Sequence, residues 1–185
     1  MYKVTIIGGG VAGLQAGVFT AKASEETLVL DSGESLVLNT SNIKNLITED
    51  SIAGQEVLKR GKDKLDDFGG EFKEEKVEKL ERTDEGFKIT TSDGEYETEY
   101  VIIASAGNHE YIEFDLEYED GVEGPYMMEE HIKTDDSNKA DEGVYAAGLA
   151  NTWEYQTSTA IGDGAKTAVN LLSEIRGEPF TDHDT

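Results

Sequence analysis

The sequence predicts an α/β protein: a three-layer domain with helices covering a parallel sheet, plus a three-stranded antiparallel β-meander. Three observations carry this expectation. "YKVTIIG" (2–8) is a β-branched apolar run that stops at glycine, and "TLVLD" (27–31) repeats the pattern after one helical interval. "EKVEKLERTDEGFKITTSDGEYETEYVIIA" (75–104) contains three runs of strand character, separated by the hairpin signals Asp84-Glu85-Gly86 and Asp93-Gly94. The chain's 185 residues suit one domain, spanning 1–185, with the meander insert at about 71–100.

The elements follow in order. The first strand covers 2–7 and ends in a glycine turn. Val11, Leu14, Val18 and Ala21 then recur at helical spacing, and with "TLVLD" they complete a strand–helix–strand unit, expected to be parallel and right-handed. Residues 32–51 are polar and irregular. A second helix is expected over 53–68, presenting Leu58, Gly61, Leu65 and Phe68 on one face and ending at Gly69-Gly70. The third meander run closes on "VIIA", which is apolar throughout and so returns to the buried sheet. Residues 108–143 are acidic and weakly patterned, with room for one or two short strands at most. "GVYAAG" (143–148) is another buried strand. The last helix runs from about 156 to 176, with Ile161, Ala165, Ala168, Val169, Leu172 and Ile175 toward the core, and Gly177 and Pro179 end it.

Composition narrows the function. Forty Asp and Glu against sixteen Lys and Arg leave a net charge of −24, spread along the whole chain. Such a surface repels phosphate backbones and anionic bilayers, which argues against nucleic-acid and membrane partners. A hydrated acidic surface suits a halophilic source, where salt screens the self-repulsion; an acidic protein from an ordinary environment is the alternative. Thirteen of the sixteen cations are Lys, which is scarce in most halophilic proteins. The chain has no cysteine, so disulfides, thiolate nucleophiles and CxxC redox pairs are excluded. Without an apolar stretch of spanning length or a leader-like start, a cytoplasmic, soluble protein is expected.

Gly8, Gly10 and Gly13 match G-x-G-x-x-G directly after a strand and at the opening of a helix. This Rossmann-like arrangement lets a diphosphate approach the backbone at Gly10 and the amides of the helix N-terminus. Asp31 ends the second strand 18 residues beyond Gly13, where a carboxylate can accept from a ribose diol. The competing reading is a glycine turn that only packs a helix on a strand. The loop alone does not separate FAD from NAD or NADP. The later order does: a meander, then "VIIASAG" (101–107), then "VYAAG" (144–148), rather than continued strand–helix alternation.

On these residues the sequence resembles the flavin domain of the thioredoxin reductases, within the pyridine nucleotide–disulfide oxidoreductases. "IIGGGVAGLQAG" is similar to the family's FAD fingerprint and "SIAGQEVLKRGKDKLDDFGGEF" to its second helix. "YVIIASAG" resembles its Ala-Thr-Gly strand end, with Ser105 in place of Thr. "GVYAAGLA" resembles its Gly-Val-Phe-Ala-Ala-Gly-Asp motif, and "YQTSTAIGDGAKTAVNLL" its closing helix. The resemblance implies a Rossmann-like FAD-binding fold. It implies that Gly8, Gly10, Val11, Ala12 and Gly13 hold the diphosphate and that Asp31, followed by Ser32, meets the adenosine ribose. It places Asn45 against the flavin and Val77 near the adenine. Ala104, Ser105, Ala106, Gly107, Gly148 and Leu149 would form the cofactor-facing strand ends. Gln156 and Thr157 would open the helix whose amides face the flavin N1–C2=O edge. For Asn45 and Gln156 the plainer readings are a loop amide and a helix cap.

The departures are as informative. Leu149 replaces the family's Asp, and "GESLVLNTSN" stands where Gly-Gly-Gln is usual. The family's NADPH domain falls between its Ala-Thr-Gly and Gly-Asp motifs, but here only residues 108–143 lie in that interval, with no second GxGxxG. About 100 residues are needed for such a domain. The expectation is therefore a minimal FAD flavoprotein and oxidoreductase, not a disulfide reductase. Its electrons would come from NAD(P)H docking transiently, a separate reductase or a partner subunit, and the family suggests a homodimer. The alternatives are a non-catalytic flavin or nucleotide carrier, sensor or subunit, and a binder of NAD(H) or ADP-like ligands through the first loop alone. No catalytic residue stands out. His109, His131 and His183 are expected at the surface and suggest no metal site. The run Asp115, Glu117, Glu119 and Asp120 is expected to be a solvated face. Trp153 and Tyr155 are expected to pack, with shielding of the isoalloxazine as the functional alternative.

Overall fold

In the computed structural model, which describes residues 1–107, 109–122 and 128–182, the centre of the sheet is β1 (Tyr2–Ile7). It pairs in parallel with β2 (Thr27–Leu30) on one side and with β6 (Glu95–Ile103) on the other. The sheet extends through β3 (Glu71–Lys73) beside β2, and through β10 (Val144–Ala146) and β9 (Lys139–Asp141) beyond β6. All these pairs are parallel except β9–β10. The meander strands β4 (Val77–Thr83) and β5 (Gly86–Thr91) continue antiparallel from β6.

The apolar runs recognised in the sequence are apolar throughout because both faces of the parallel sheet are covered. Ile6, Val29, Ile102 and Tyr145 point to one face, where helices α1 (Val11–Lys22), α2 (Gly54–Asp67) and α3 (Thr157–Arg176) pack. Their neighbours Ile7, Leu28, Leu30, Val101, Ile103, Val144 and Ala146 point to the other. There they meet Leu80, Phe87 and Ile89 of the meander and Tyr111, Ile112, Phe114 and Leu116 of the following segment.

Several local expectations are corrected. Residues 71–73 pair with β2, so the meander proper starts at Val77 rather than at 71. The interval 108–143 holds three short strands among the described residues, not one or two. Besides β9, β7 (Tyr118–Asp120) and β8 (Glu130–Ile132) form a separate antiparallel pair. Phe68 is exposed because α2 ends at Asp67, which takes residue 68 out of the helical phase. The buried stripe of α3 runs through Ala160, Gly164, Thr167, Ala168, Leu171 and Leu172, with Ile161, Ala165 and Val169 only half-buried. Small residues lie innermost there because α3 approaches α1 closely: a Cβ at Gly164 would stand 2.1 Å from the Ala12 carbonyl oxygen. His131 is buried, 3% exposed, and His109 is half-buried, so neither is a surface histidine; His183 lies outside the described residues. Among the described residues, no helix is long and apolar enough to cross a membrane.

Candidate functional site

β1, β6 and β10 all point their C-terminal ends at one cavity, where ligands gather in open α/β sheets. The cavity holds about 790 Å³, within the ordinary range for small-molecule sites. The turn after β1 begins at Gly8, whose φ of +109° lies in the region that glycine favours; a Cβ there would fall 2.6 Å from the Ala104 backbone. The turn therefore lies directly against the end of β6. Gly10 follows, and a Cβ on it would meet only the Ser35 hydroxyl, at 3.3 Å, so this side of the loop is open.

Two helix N-termini converge on the cavity. α1 starts beyond Gly10 and α3 beyond Gln156; neither has a side-chain cap or an acidic residue in its first turn. Val11 and Ala12 of the first helix and Thr157 and Ala160 of the second line the cavity. The small side chains at Ala12, Gly148 and Gly164 let the two ends come this close. Amide donors and the positive ends of two helix dipoles thus face one space, an arrangement suited to anionic or electron-rich ligand groups.

Asp31, 8% exposed, closes the side of the glycine loop. Its Oδ1 accepts from the Gly9 amide at 2.8 Å and its Oδ2 from the Gly33 amide at 3.2 Å, while the residue also lines the cavity. A carboxylate has about four acceptor positions, so both oxygens keep capacity for a ligand hydroxyl. On the opposite wall the Gly148 amide donates to Asp163 Oδ2 at 2.6 Å, so a carboxylate from α3 holds the short 3₁₀ turn Gly148–Ala150. Beneath the end of β6, Ser105 Oγ and Tyr111 Oη lie 2.9 Å apart, and burial pushes the Tyr111 phenol well above its ordinary range. That hydroxyl therefore stays protonated as a neutral hydrogen-bonding group.

Most of the sequence-derived site residues meet here. Gly8, Gly10, Val11, Ala12, Asp31, Ser32, Ala104, Ser105, Ala106, Gly107, Gly148, Leu149 and Thr157 line the cavity. Gly13 lies behind the loop, where a Cβ would strike the Gly8 carbonyl oxygen at 1.9 Å. Val77 is buried in the meander core and is not a lining residue. Asn45 and Gln156 also stand outside the lining, but the Asn45 Nδ2 donates to Gln156 Oε1 at 3.0 Å, joining the 42–52 loop to the start of α3.

Sequence reasoning missed one wall. Glu34, Ser35, Leu36, Val37, Asn39 and Thr40 line the cavity from the short 3₁₀ helix Leu36–Asn39 and its flanks. This segment is held by the start of α2: the Gly54 amide donates to the Thr40 carbonyl at 2.8 Å, and a Cβ at Gly54 would overlap the Val37 carbonyl. No periodicity in 32–51 announces this, because a single 3₁₀ turn is too short to show one. Met128 and Tyr155 complete the rim, with Tyr155 and Leu36 substantially exposed. Among the described residues no cluster of three or more metal-ligating side chains occurs.

The fold and site define a dinucleotide-binding α/β domain with a meander. The chain belongs to the pyridine nucleotide-disulphide oxidoreductase family, whose model matches residues 2–124. It is 29% identical to the thioredoxin reductase of Treponema pallidum (strain Nichols) over 145 residues, which covers 71% of this chain and 47% of that protein. Similarity to the thioredoxin reductase of Aquifex aeolicus (strain VF5) is 28% over 166 residues, covering 82% of this chain and 51% of that protein. The chain thus spans about half the length of these curated relatives. Among solved structures, a thioredoxin reductase from Gloeobacter violaceus superposes with a TM-score of 0.81 at 15% identity, covering 100% of this chain and 98% of that one. The atypical thioredoxin reductase TRi from Desulfovibrio vulgaris Hildenborough gives 0.78 at 20% identity, covering 97% and 100%. At these identities the structural likeness speaks for the fold.

Proposed function

We propose that this chain is a minimal FAD-binding oxidoreductase that takes electrons from NAD(P)H or from a partner protein and does not reduce disulfides. The observation that carries the reading is the convergence of two uncapped helix N-termini and the Gly8–Gly13 loop on one cavity. The α1 end suits a diphosphate, Asp31 a ribose diol, and the α3 end the electron-rich edge of a reduced ring. Bound FAD would supply the hydride and electron chemistry; the chain's residues would bind, orient and shield it. The absence of cysteine supports the exclusion of disulfide chemistry by the chain itself. Exposed Trp153 and Tyr155 beside the start of α3 leave room for a redox partner or a second copy of the chain at the cavity mouth. The acidic surface belongs to the same reading, as that of a cytoplasmic protein adapted to high salt.

A second reading, a flavin carrier or subunit without turnover, is favoured by Leu149, an apolar side chain on a cavity wall where the resemblance leads one to expect Asp. One experiment separates the two. The protein is reconstituted with FAD in high salt, its visible spectrum is recorded, and NADH or NADPH is added anaerobically. Flavin bands that bleach within seconds support the oxidoreductase. Bands that persist with both nucleotides but bleach with a reduced partner protein support the partner-fed oxidoreductase, while bands that answer to dithionite alone favour the carrier. A protein that takes up no FAD overturns both.

A further inference from the structure

The segment between β6 and β10 carries two histidines that the proposed chemistry does not use, and each one grips a cavity wall. The Ser105 carbonyl, at the end of β6, accepts from His109 Nε2 at 3.2 Å. The Leu149 carbonyl, in the turn after β10, accepts from His131 Nδ1 at 3.1 Å. A carbonyl can only accept, so the ring nitrogens are the donors. Ser105 and Leu149 both line the cavity, just beyond the C-terminal ends of the neighbouring parallel strands β6 and β10.

The two rings belong to one small unit. His131 lies in β8, in register opposite Glu119 of β7. His109 stacks on the Tyr118 ring of β7, with centroids 6.0 Å apart and planes at 27°, and meets Tyr111 edge-on at 6.1 Å. The unit is anchored elsewhere: the Leu80 amide donates to the Tyr111 carbonyl at 2.7 Å, and the Glu113 amide to the Leu80 carbonyl at 2.9 Å, along β4. His131 is 3% exposed, and its Nε2 is buried without a hydrogen-bond partner among the described residues. Among the described residues, a ring so enclosed makes its directional contact through Nδ1, to Leu149.

We propose that His109 and His131 are positioning residues that set the spacing of the two strand ends facing the cofactor, each through a single carbonyl, His131 from within the β7–β8 pair and His109 from against it. The inference rests on the reading of the cavity as a flavin-nucleotide site. On this view the short segment between β6 and β10 braces the strand ends as well as covering the sheet. Neither ring touches the cavity, and both act through the backbone of residues that do.

Side-chain amides test this, because the Asn nitrogen falls near the place of an imidazole Nδ1 and the Gln nitrogen near that of Nε2. His131→Asn and His109→Gln keep the donor; His131→Gln and His109→Asn keep polarity and comparable bulk but misplace it. The measurements are FAD affinity of the apoprotein, from the quenching of flavin fluorescence, and hydrogen–deuterium exchange of amides 104–107 and 148–151 without ligand. The misplacing variants are expected to bind FAD about 3- to 10-fold more weakly, the scale of one hydrogen bond, and to exchange faster at their own strand end. The retaining variants are expected to stay within about twofold of the parent. Equal behaviour of Asn and Gln at both positions, in affinity and in exchange, overturns the brace. If the parent protein takes up no FAD, the flavin reading falls, while the exchange pattern still decides the brace. Should His131→Gln fail to fold, His109→Asn at its half-buried position carries the same test.

Discussion

The Gly148 amide donates to Asp163 Oδ2 at 2.6 Å, so the turn that carries Leu149 into the cavity wall is held by a carboxylate from α3. The other oxygen, Oδ1, accepts from Asn138 Nδ2 at 2.7 Å, and Asn138 Oδ1 in turn accepts from Lys166 Nζ at 2.8 Å. Asn138 is buried and sits at φ +63°, a backbone conformation held by this network. Asp163→Ala is expected to cost about 1–3 kcal/mol, because it strands the Gly148 amide and one of the two Asn138 N–H groups, the other still donating to Thr167 Oγ1 at 2.8 Å. Asp163→Asn can serve only one of the two donors and should cost about half as much. Urea denaturation of the apoprotein measures the loss; values near zero for both substitutions would show that the turn is held by packing.

Gly164→Ala tests the convergence of the two helices. The new Cβ would stand 2.1 Å from the Ala12 carbonyl oxygen, which is helix backbone and cannot swing aside. α3 must then move off α1, widening the gap between the two N-termini. A destabilisation of about 1–3 kcal/mol is expected, the usual cost of overpacking, together with weaker FAD binding. Gly162→Ala on the same helix, where nothing lies within 4 Å, is the control and is expected to be neutral or stabilising by up to about 1 kcal/mol. Equal effects at 162 and 164 would argue against close approach as the cause.

How far the sequence foretold this site follows from the physics of its segments. β1, β2, β6 and β10 were legible because strands buried on both faces leave unbroken apolar runs, and the glycine loop because close backbone approach admits no Cβ. Leu36 and Asn39 were not legible as cavity wall, since one 3₁₀ turn has no period and its placement depends on a contact with Gly54 far along the chain. β3 escaped notice because Glu71–Lys73, at the sheet edge, is short and polar. The half-burial of Ile161 and Val169 shows a different failure. Size ranked them as core, but the closeness of α1 gives the innermost positions to Gly164 and Ala168. His131 read as a loop histidine because nothing local marks 130–132 as a strand; its burial comes from the sheet and turn packed around it.

Salt should stabilise the chain. Ion pairs such as Lys59–Asp63 and Lys133–Glu117 are exposed and contribute little, while a net charge of −24 opposes compaction throughout. Raising KCl from about 0.1 M to about 1 M shortens the screening length from about 10 Å to about 3 Å, which weakens the repulsion more than the contact pairs. The thermal midpoint of the apoprotein is expected to rise by roughly 2–4 °C for each kcal/mol recovered. A midpoint that is flat or falling across this range would remove the support for adaptation to high salt.

Acid should remove the folding stability that the neutral, half-buried His109 ring contributes. Burial holds this imidazole below its ordinary range, against a smaller opposing contribution from the Ser105 carbonyl; among the described residues, His131, Tyr111 and Tyr118 are titratable side chains that face it. With the folded pKa depressed, the unfolded chain takes up the proton first as pH falls. Stability contributed by the neutral ring is thus fully present above about pH 6.5 and is lost as pH drops through the folded value. Acidification also relieves repulsion among forty acidic residues, a change of opposite sign, so the informative quantity is a difference between variants. His109→Gln keeps the donor to Ser105 but cannot titrate. Between pH 7.5 and about 5.5 the parent is expected to lose stability relative to His109→Gln, with the gap opening below about pH 6.5. Parallel curves for the two proteins in urea denaturation would show that this ring meets no greater charging penalty folded than unfolded.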